Sequence, residues 1–141
     1  MSKLIGRAIA ESAKIQSLIS ELVAEVGREE ESITTIRDPQ PVFADDMKKS
    51  MDATNKVRGR PLFYPFIGTG AGRGPYVEVQ DGSVKLDLIN GIGVNIFGHA
   101  HPRILAASVR GALSDIVMQG NLEPSREYAD LGKLVADLAG K

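Results

Sequence analysis

The sequence predicts an α+β chain, with helices at the amino-terminal end, a small antiparallel β-hairpin or three-stranded sheet in the middle, and two helices after it. Apolar residues recur at three- and four-residue steps in the first 26 positions and again after Pro102, which is the period of one helical face. Between these segments, valines and leucines alternate with polar residues on both sides of Asp81-Gly82, the pattern of two strands joined by a tight turn. The third observation is size: 141 residues suit one domain, or a piece of one.

Taken in order, Leu4, Ile5, Ala8, Ile15, Leu18, Ile19, Leu22 and Val26 predict one helix from Lys3 to Val26, with Ser2 to cap its start and Gly27 its end. Arg28 to Glu31 is a charged run. Asp38-Pro39-Gln40-Pro41 follows it, and proline blocks helix at the residue before it, so this stretch reads as a linker or exposed turn. Asp45 and Asp46 precede Met47 and Met51, and Lys56, Arg58 and Arg60 come after; carboxylates first and cations last is the order a helix dipole prefers. Pro61 to Phe66 is extended and holds three aromatics. Gly68, Gly70, Gly72 and Gly74 then alternate, implying a mobile backbone that permits close approach.

The hairpin is the clearest local feature. A two-residue type I′ turn at Asp81-Gly82 sets Gln80 opposite Ser83, Val79 opposite Val84, Glu78 opposite Lys85 and Val77 opposite Leu86. One face then carries Val77, Val79, Val84, Leu86 and Leu88, and needs a third strand or a helix to cover it. A glycine-rich crossing loop runs from Asn90 to His101. Pro102 suits the first turn of a helix whose face is Leu105, Val109, Ala112, Leu113 and Ile116, stopping at Gly120. Ser125 caps a last helix in which Tyr128, Leu131, Val135 and Leu138 share a face.

Composition excludes several functions. With 17 basic and 18 acidic side chains the net charge is −1, so no positive field draws in nucleic acid or an anionic membrane. Cysteine is absent, which removes disulfides, cysteine-based zinc sites and thiol nucleophiles together. Apolar runs are only a few residues long, and Met1 to Gly6 lacks the pattern of a secretory leader, so a cytoplasmic protein without membrane spans is expected.

The glycine clusters do not form phosphate-binding loops. Alternating glycines put Arg73 or Pro75 where G-x-G-x-x-G needs its last glycine, Ile96 takes that place in the second cluster, and no G-x-x-x-x-G-K-[ST] occurs. His99 and His101 are the two histidines. A metal site there is conceivable, yet zinc wants three or four protein ligands, and a cap at Pro102 is the simpler role for His101. Phe63, Tyr64 and Phe66 suit either core packing or the wall of a pocket. Residue chemistry by itself therefore gives no self-contained active site.

The order Gly72-Arg73-Gly74-Pro75-Tyr76-Val77, Asp81-Gly82, Leu86-Asp87-Leu88, Asn90-Gly91-Ile92-Gly93-Val94, Gly98-His99-Ala100-His101-Pro102 and Gly120-Asn121-Leu122-Glu123-Pro124 resembles the amino-terminal segment of the class III pyridoxal-phosphate-dependent aminotransferases. This is the fold-type I group containing the acetylornithine, ornithine and 4-aminobutyrate (omega-amino-acid) enzymes. The resemblance runs from about Pro61 to Lys141 and implies that 61–141 is the amino-terminal part of the family's small domain, with 1–60 a helical extension.

It also implies what this chain would do. The family's Schiff-base lysine, its Ser-Gly-x-Glu-Ala phosphate-binding segment and the aspartate on the pyridine nitrogen belong to the large domain, and none is present here. The chain alone is therefore expected to be inactive, to carry no pyridoxal 5′-phosphate by itself and to contribute no catalytic residue. By position, Phe63, Tyr64 and Ile92 would line the substrate pocket, and Gly91, Gly93 and Asn121 would lie in loops near the cofactor. Partners implied are the large domain of the same protein, a second subunit of a homodimer, and an amino-acid substrate with a 2-oxo acid. Two alternatives stand beside this: a noncatalytic self-associating or docking module of the same ancestry, and an unrelated small α+β binding protein.

Overall fold

Ser12 divides the helix expected from Lys3 to Val26. In the computed structural model, which describes residues 3–115 and 124–140, α1 (Ile5–Ala10) and α2 (Ala13–Glu29) are separate. Ser12 is extended, and its Oγ accepts from the N–H of Ile15 at 3.3 Å. A capping serine inside an apolar periodicity thus starts a new helix, and the periodicity alone does not report the break. Gly27 is inside α2 and not its stop; Ser2 lies outside the described residues.

The turn expected at Asp38–Pro41 leaves Asp38, Pro39 and Pro41 exposed, while the segment before it is tied into the fold. A 3₁₀ turn (Glu30–Ser32) leads to Ile33, which is buried, and Arg37 then pairs antiparallel with Val84, its N–H and carbonyl both bonded at 3.1 and 3.0 Å. A second 3₁₀ turn (Pro41–Phe43) enters α3 (Ala44–Arg58), with Asp45 and Asp46 in its first turn and Lys56 and Arg58 in its last, as the charge order predicts.

The alternating glycines become a strand. β1 (Gly68–Arg73) pairs antiparallel with β2 (Tyr76–Val79), with a bulge between Gly68 and Gly72, and β2 pairs with β3 (Val84–Leu86). The sheet is three-stranded in the order β1-β2-β3.

Its register is one residue away from the expected one. Tyr76 lies opposite Leu86, Val77 opposite Lys85 and Glu78 opposite Val84. The loop has three residues and not two: the N–H of Gly82 bonds the carbonyl of Val79 at 2.8 Å, and the N–H of Val79 bonds the carbonyl of Ser83 at 2.9 Å. Gly82 takes φ +77° in this loop, and a Cβ there would fall 2.7 Å from Cδ2 of Phe43. An αL residue closing a three-residue loop is the common alternative to the two-residue turn. Asp81 supports it by accepting from the N–H of Ser83 at 2.9 Å.

One residue of slip exchanges the faces. Val77 and Val79 share a face with Lys85, whereas Val84 and Leu86 share the other with Tyr76 and Glu78. The expected apolar face is split, and Leu88 is exposed. Both Val79 and Val84 are nonetheless buried, at 3% and 1% exposure, so each face is covered at its centre. Glu78 does not meet Lys85. It accepts from Nη2 of Arg37 at 2.8 Å and from Oγ1 of Thr69 at 3.1 Å, a polar row crossing the sheet. Lys85 sits instead 5.0 Å over the Phe66 ring.

After a helical turn α4 (Asn90–Gly93), α5 (Pro102–Ala112) packs along α2, where Nε of Arg110 donates to Oε1 of Gln16 at 2.8 Å. Pro102 opens α5 as expected. The helix ends at Ala112, well before the expected stop at Gly120; Ile116 and Gly120 are outside the described residues. His101 occupies the position before it, but its side chain makes no capping bond. Ser125 does cap α6 (Arg126–Leu138), its Oγ accepting from the N–H of Tyr128 at 3.2 Å.

Among the described residues the buried apolar side chains are Ile19, Ile33, Met47, Val79 and Val84. Leu131, Leu134, Val135 and Leu138 of α6 stay exposed, although their spacing makes an apolar stripe.

Candidate functional site

The residues expected around a pocket sit on two exposed segments. Phe63 is 87% exposed and stacks edge-on against Tyr64, with ring centroids 4.8 Å apart. The core reading of these aromatics does not hold, since Tyr64 and Phe66 are exposed as well. Ile92 is 91% exposed on α4. Asn121 lies outside the described residues. A cleft of about 430 Å³ is formed elsewhere, by Pro39, Pro41, Ala44, Met47, Met51 and Asp81 among others, and none of the expected residues lines it.

The conformation at Ile92 is unusual. Asn90, Gly91 and Ile92 have φ of +54°, +58° and +61°, and Gly93 continues at +87°. Asparagine and glycine accept the left-handed region; a β-branched residue does so only under constraint.

Asp87, just after β3, is bonded to the start of this turn. One carboxylate oxygen accepts from the N–H groups of Ile89 and Asn90, both at 2.9 Å, and the other lies 2.8 Å from Nε2 of His99. An ionised carboxylate only accepts, so Nε2 of His99 carries the proton and donates. The His99 bond, then the N–H of Ile89, and the N–H of Asn90 outweigh burial and hold the Asp87 carboxyl below the usual carboxylate range.

His99 is itself fixed by the sheet. Its N–H and carbonyl pair with Gly74 at 2.8 and 3.1 Å, and its ring lies against Gly72. A Cβ on Gly72 would meet Cβ of His99 at 3.0 Å and the Tyr76 carbonyl at 2.9 Å, so glycine is required for this contact. The sequence reading of His99 missed its partner. Asp87 is twelve residues away, and only its place at the end of an alternating strand, ahead of Asn90-Gly91, could have marked it.

Nothing here assembles a metal centre: among the described residues no three His, Cys, Asp or Glu side chains are grouped to hold an ion. Four of the described lysines lie in contacts that do not resemble the setting of an imine-forming amine. Lys48, Lys49 and Lys133 pair with Asp52, Asp46 and Asp137 on exposed helix surfaces, and Lys85 covers Phe66. Among the described residues no helix is long and apolar enough to cross a membrane.

Sequence comparison relates the chain to the aminotransferases. The recurring name among its relatives is acetylornithine aminotransferase, in agreement with the class III resemblance of its motifs. The protein of that name from Corynebacterium efficiens is 42% identical over 67 residues, covering 48% of this chain and 16% of the relative. Glutamate-1-semialdehyde 2,1-aminomutase of Symbiobacterium thermophilum is 39% identical over 54 residues, or 38% of this chain and 11% of the relative. The acetylornithine aminotransferase of Myxococcus xanthus is 28% identical over 113 residues, 77% of this chain and 28% of its own length. That last match is longer than the stretch beginning at Pro61, so similarity reaches back into residues 1–60, where none was expected. The chain thus spans between about a tenth and less than a third of the length of these relatives. No protein-family profile and no solved structure matches it.

Proposed function

We propose that this chain is the amino-terminal, pocket-completing part of a class III aminotransferase, and that it is inactive without the large domain. The observation that carries the reading is the coincidence of the aminotransferase similarity with the strained, exposed Ile92 turn at the position where the family's motif order puts a substrate-lining residue.

Pyridoxal 5′-phosphate would supply the electron sink for amino-group transfer in the complete enzyme. The residues of this chain do not fit that group as a site of their own. Lys48, Lys49 and Lys133 are paired with aspartates and Lys85 lies over an aromatic ring, and no step is routed through the cofactor here. In this reading Phe63, Tyr64 and Ile92 form an apolar wall, Gly91, Gly93 and Asn121 belong to loops near the cofactor, the glycines permitting backbone approach, and residues 61–141 belong to the small domain behind the 1–60 extension. The homodimer partner and the large domain are the surfaces on which the exposed apolar residues close. The stripe Leu131, Leu134, Val135 and Leu138, uncovered on α6, supports such a neighbour. The same stripe would serve a separately encoded large domain equally well, which is the docking-module form of the reading.

The test is to follow the reading frame past the Lys141 codon and assay its whole product with an amino donor and a 2-oxo acid. A Ser-Gly-x-Glu-Ala segment, a later aspartate and lysine, and transamination are expected. An immediate stop with no partner polypeptide restoring transamination would overturn the proposal.

A further inference from the structure

The Asn90–Ile92 turn has to be held by something other than Ile92. A β-branched residue at positive φ is strained and persists only where its surroundings over-determine it. The Ile92 side chain, 91% exposed, has no packing to hold it. Ile89, in the right-handed region at φ −96°, followed by Asn90 at φ +54°, is the backbone sequence that turns successive N–H groups inward around an anion. The anion between them belongs to the chain: Oδ1 of Asp87 accepts from both N–H groups.

We infer that Asp87 is a positioning residue, which selects the left-handed turn and so aims Ile92, with His99 as the brace that keeps the Asp87 carboxylate in place. The contacts form one continuous chain. Gly74 fixes the His99 backbone, Nε2 of His99 fixes Oδ2 of Asp87, the Asp87 N–H is itself bonded to the Pro75 carbonyl at 2.8 Å, and Oδ1 fixes the two amides that begin the turn. The sheet edge therefore sets the direction of a side chain that touches no part of the sheet core. The inference deepens the reading of Ile92 as a pocket wall and rests on it for its functional meaning. The Ile92 side chain is 91% exposed, so its direction is set through its backbone.

The test is NMR on the 141-residue chain with Asp87→Ala, Asp87→Asn and His99→Ala. A φ near +60° gives a strong intraresidue amide–Hα NOE, which reports the turn at Ile92 directly. With Asp87→Ala that NOE should weaken and the Ile89 and Asn90 amides should exchange about tenfold faster or more. The Val79 and Val84 amides should stay within about twofold of the parent. Asp87→Asn keeps an acceptor oxygen and should restore most of the protection at Ile89 and Asn90, which loss of a merely structural residue would not predict. His99→Ala should give an intermediate acceleration at the same two amides. An unchanged Ile92 NOE and unchanged Ile89 and Asn90 amides in Asp87→Ala, with the sheet intact, overturn the inference. Should Asp87→Ala also lose the sheet signals, His99→Ala decides, and no change in it overturns the inference. None of these readouts depends on transamination, so a failed assay of the complete enzyme and a failed positioning role are told apart.

Discussion

The Asp87 carboxylate, 2.8 Å from Nε2 of His99, ties the end of β3 to the loop that returns beside Gly74. Both side chains are mostly covered, at 14% and 20% exposure, so the bond is shielded more than the surface pairs of α3 and α6.

This bond fixes the sign of an acid dependence. The Asp87 carboxyl is held low in the folded chain, first by His99 and then by the backbone amides. A group with a depressed folded value contributes stability that is present above its unfolded value, about 3.9, and is lost as pH falls through the folded value. Stability should fall on acidification below about pH 4, and Asp87→Asn should flatten that fall. Urea unfolding between about pH 3 and 6 checks it; parallel curves for parent and variant would count against it.

Ile92→Gly should leave the chain as stable or make it more stable by about 1 kcal/mol. Glycine carries no steric penalty at φ +61°, which offsets the entropy it adds to the unfolded chain, and an exposed isoleucine gives up little burial. A loss of more than about 1 kcal/mol in urea unfolding would mean that the side chain is packed in solution. A rise in stability would mark the strain as retained for something other than folding.

Gly82→Ala should destabilise by about 2 kcal/mol or more. The added Cβ needs φ +77° and meets Phe43 at 2.7 Å, and relaxing either opens the loop. Thermal unfolding reads this directly. A neutral result would restore the two-residue turn and its register.

Arg37→Ala should cost about 1–2 kcal/mol, more than an exposed pair, because Nε also donates to the Gly82 carbonyl at 2.8 Å while Nη2 holds Glu78. Arg37→Lys cannot make both bonds with one head group and should recover less than half of the loss. Equal stability of Arg37→Lys and the parent would show that charge alone matters.

Local signals in the sequence were legible where the physics is local. Pro102 and Ser125 open their helices, and the aspartates and cations bracket α3. The hairpin was recognisable, yet its register was not: Asp81-Gly82 suits a two- or a three-residue loop, and the three-residue form is bonded by Arg37, which is 45 residues from Gly82 in sequence. β1 was hidden because glycines carry no side-chain alternation, and the strand forms only when β2 is beside it. Of the expected site, the structure displays Phe63, Tyr64, Gly91, Ile92 and Gly93 at exposed positions, while the residue that orients the turn, Asp87, acts through a contact that no spacing rule encodes.

The most direct measurement is borohydride reduction of the 141-residue chain with added pyridoxal phosphate, followed by peptide mass mapping, alongside the complete reading-frame product. The chain by itself should show only scattered, substoichiometric lysine labelling, and the complete product one adduct per polypeptide at a lysine beyond Lys141. Stoichiometric attachment at a single lysine of the 141-residue chain would contradict its role as a pocket-completing part and make it a cofactor-binding protein in its own right.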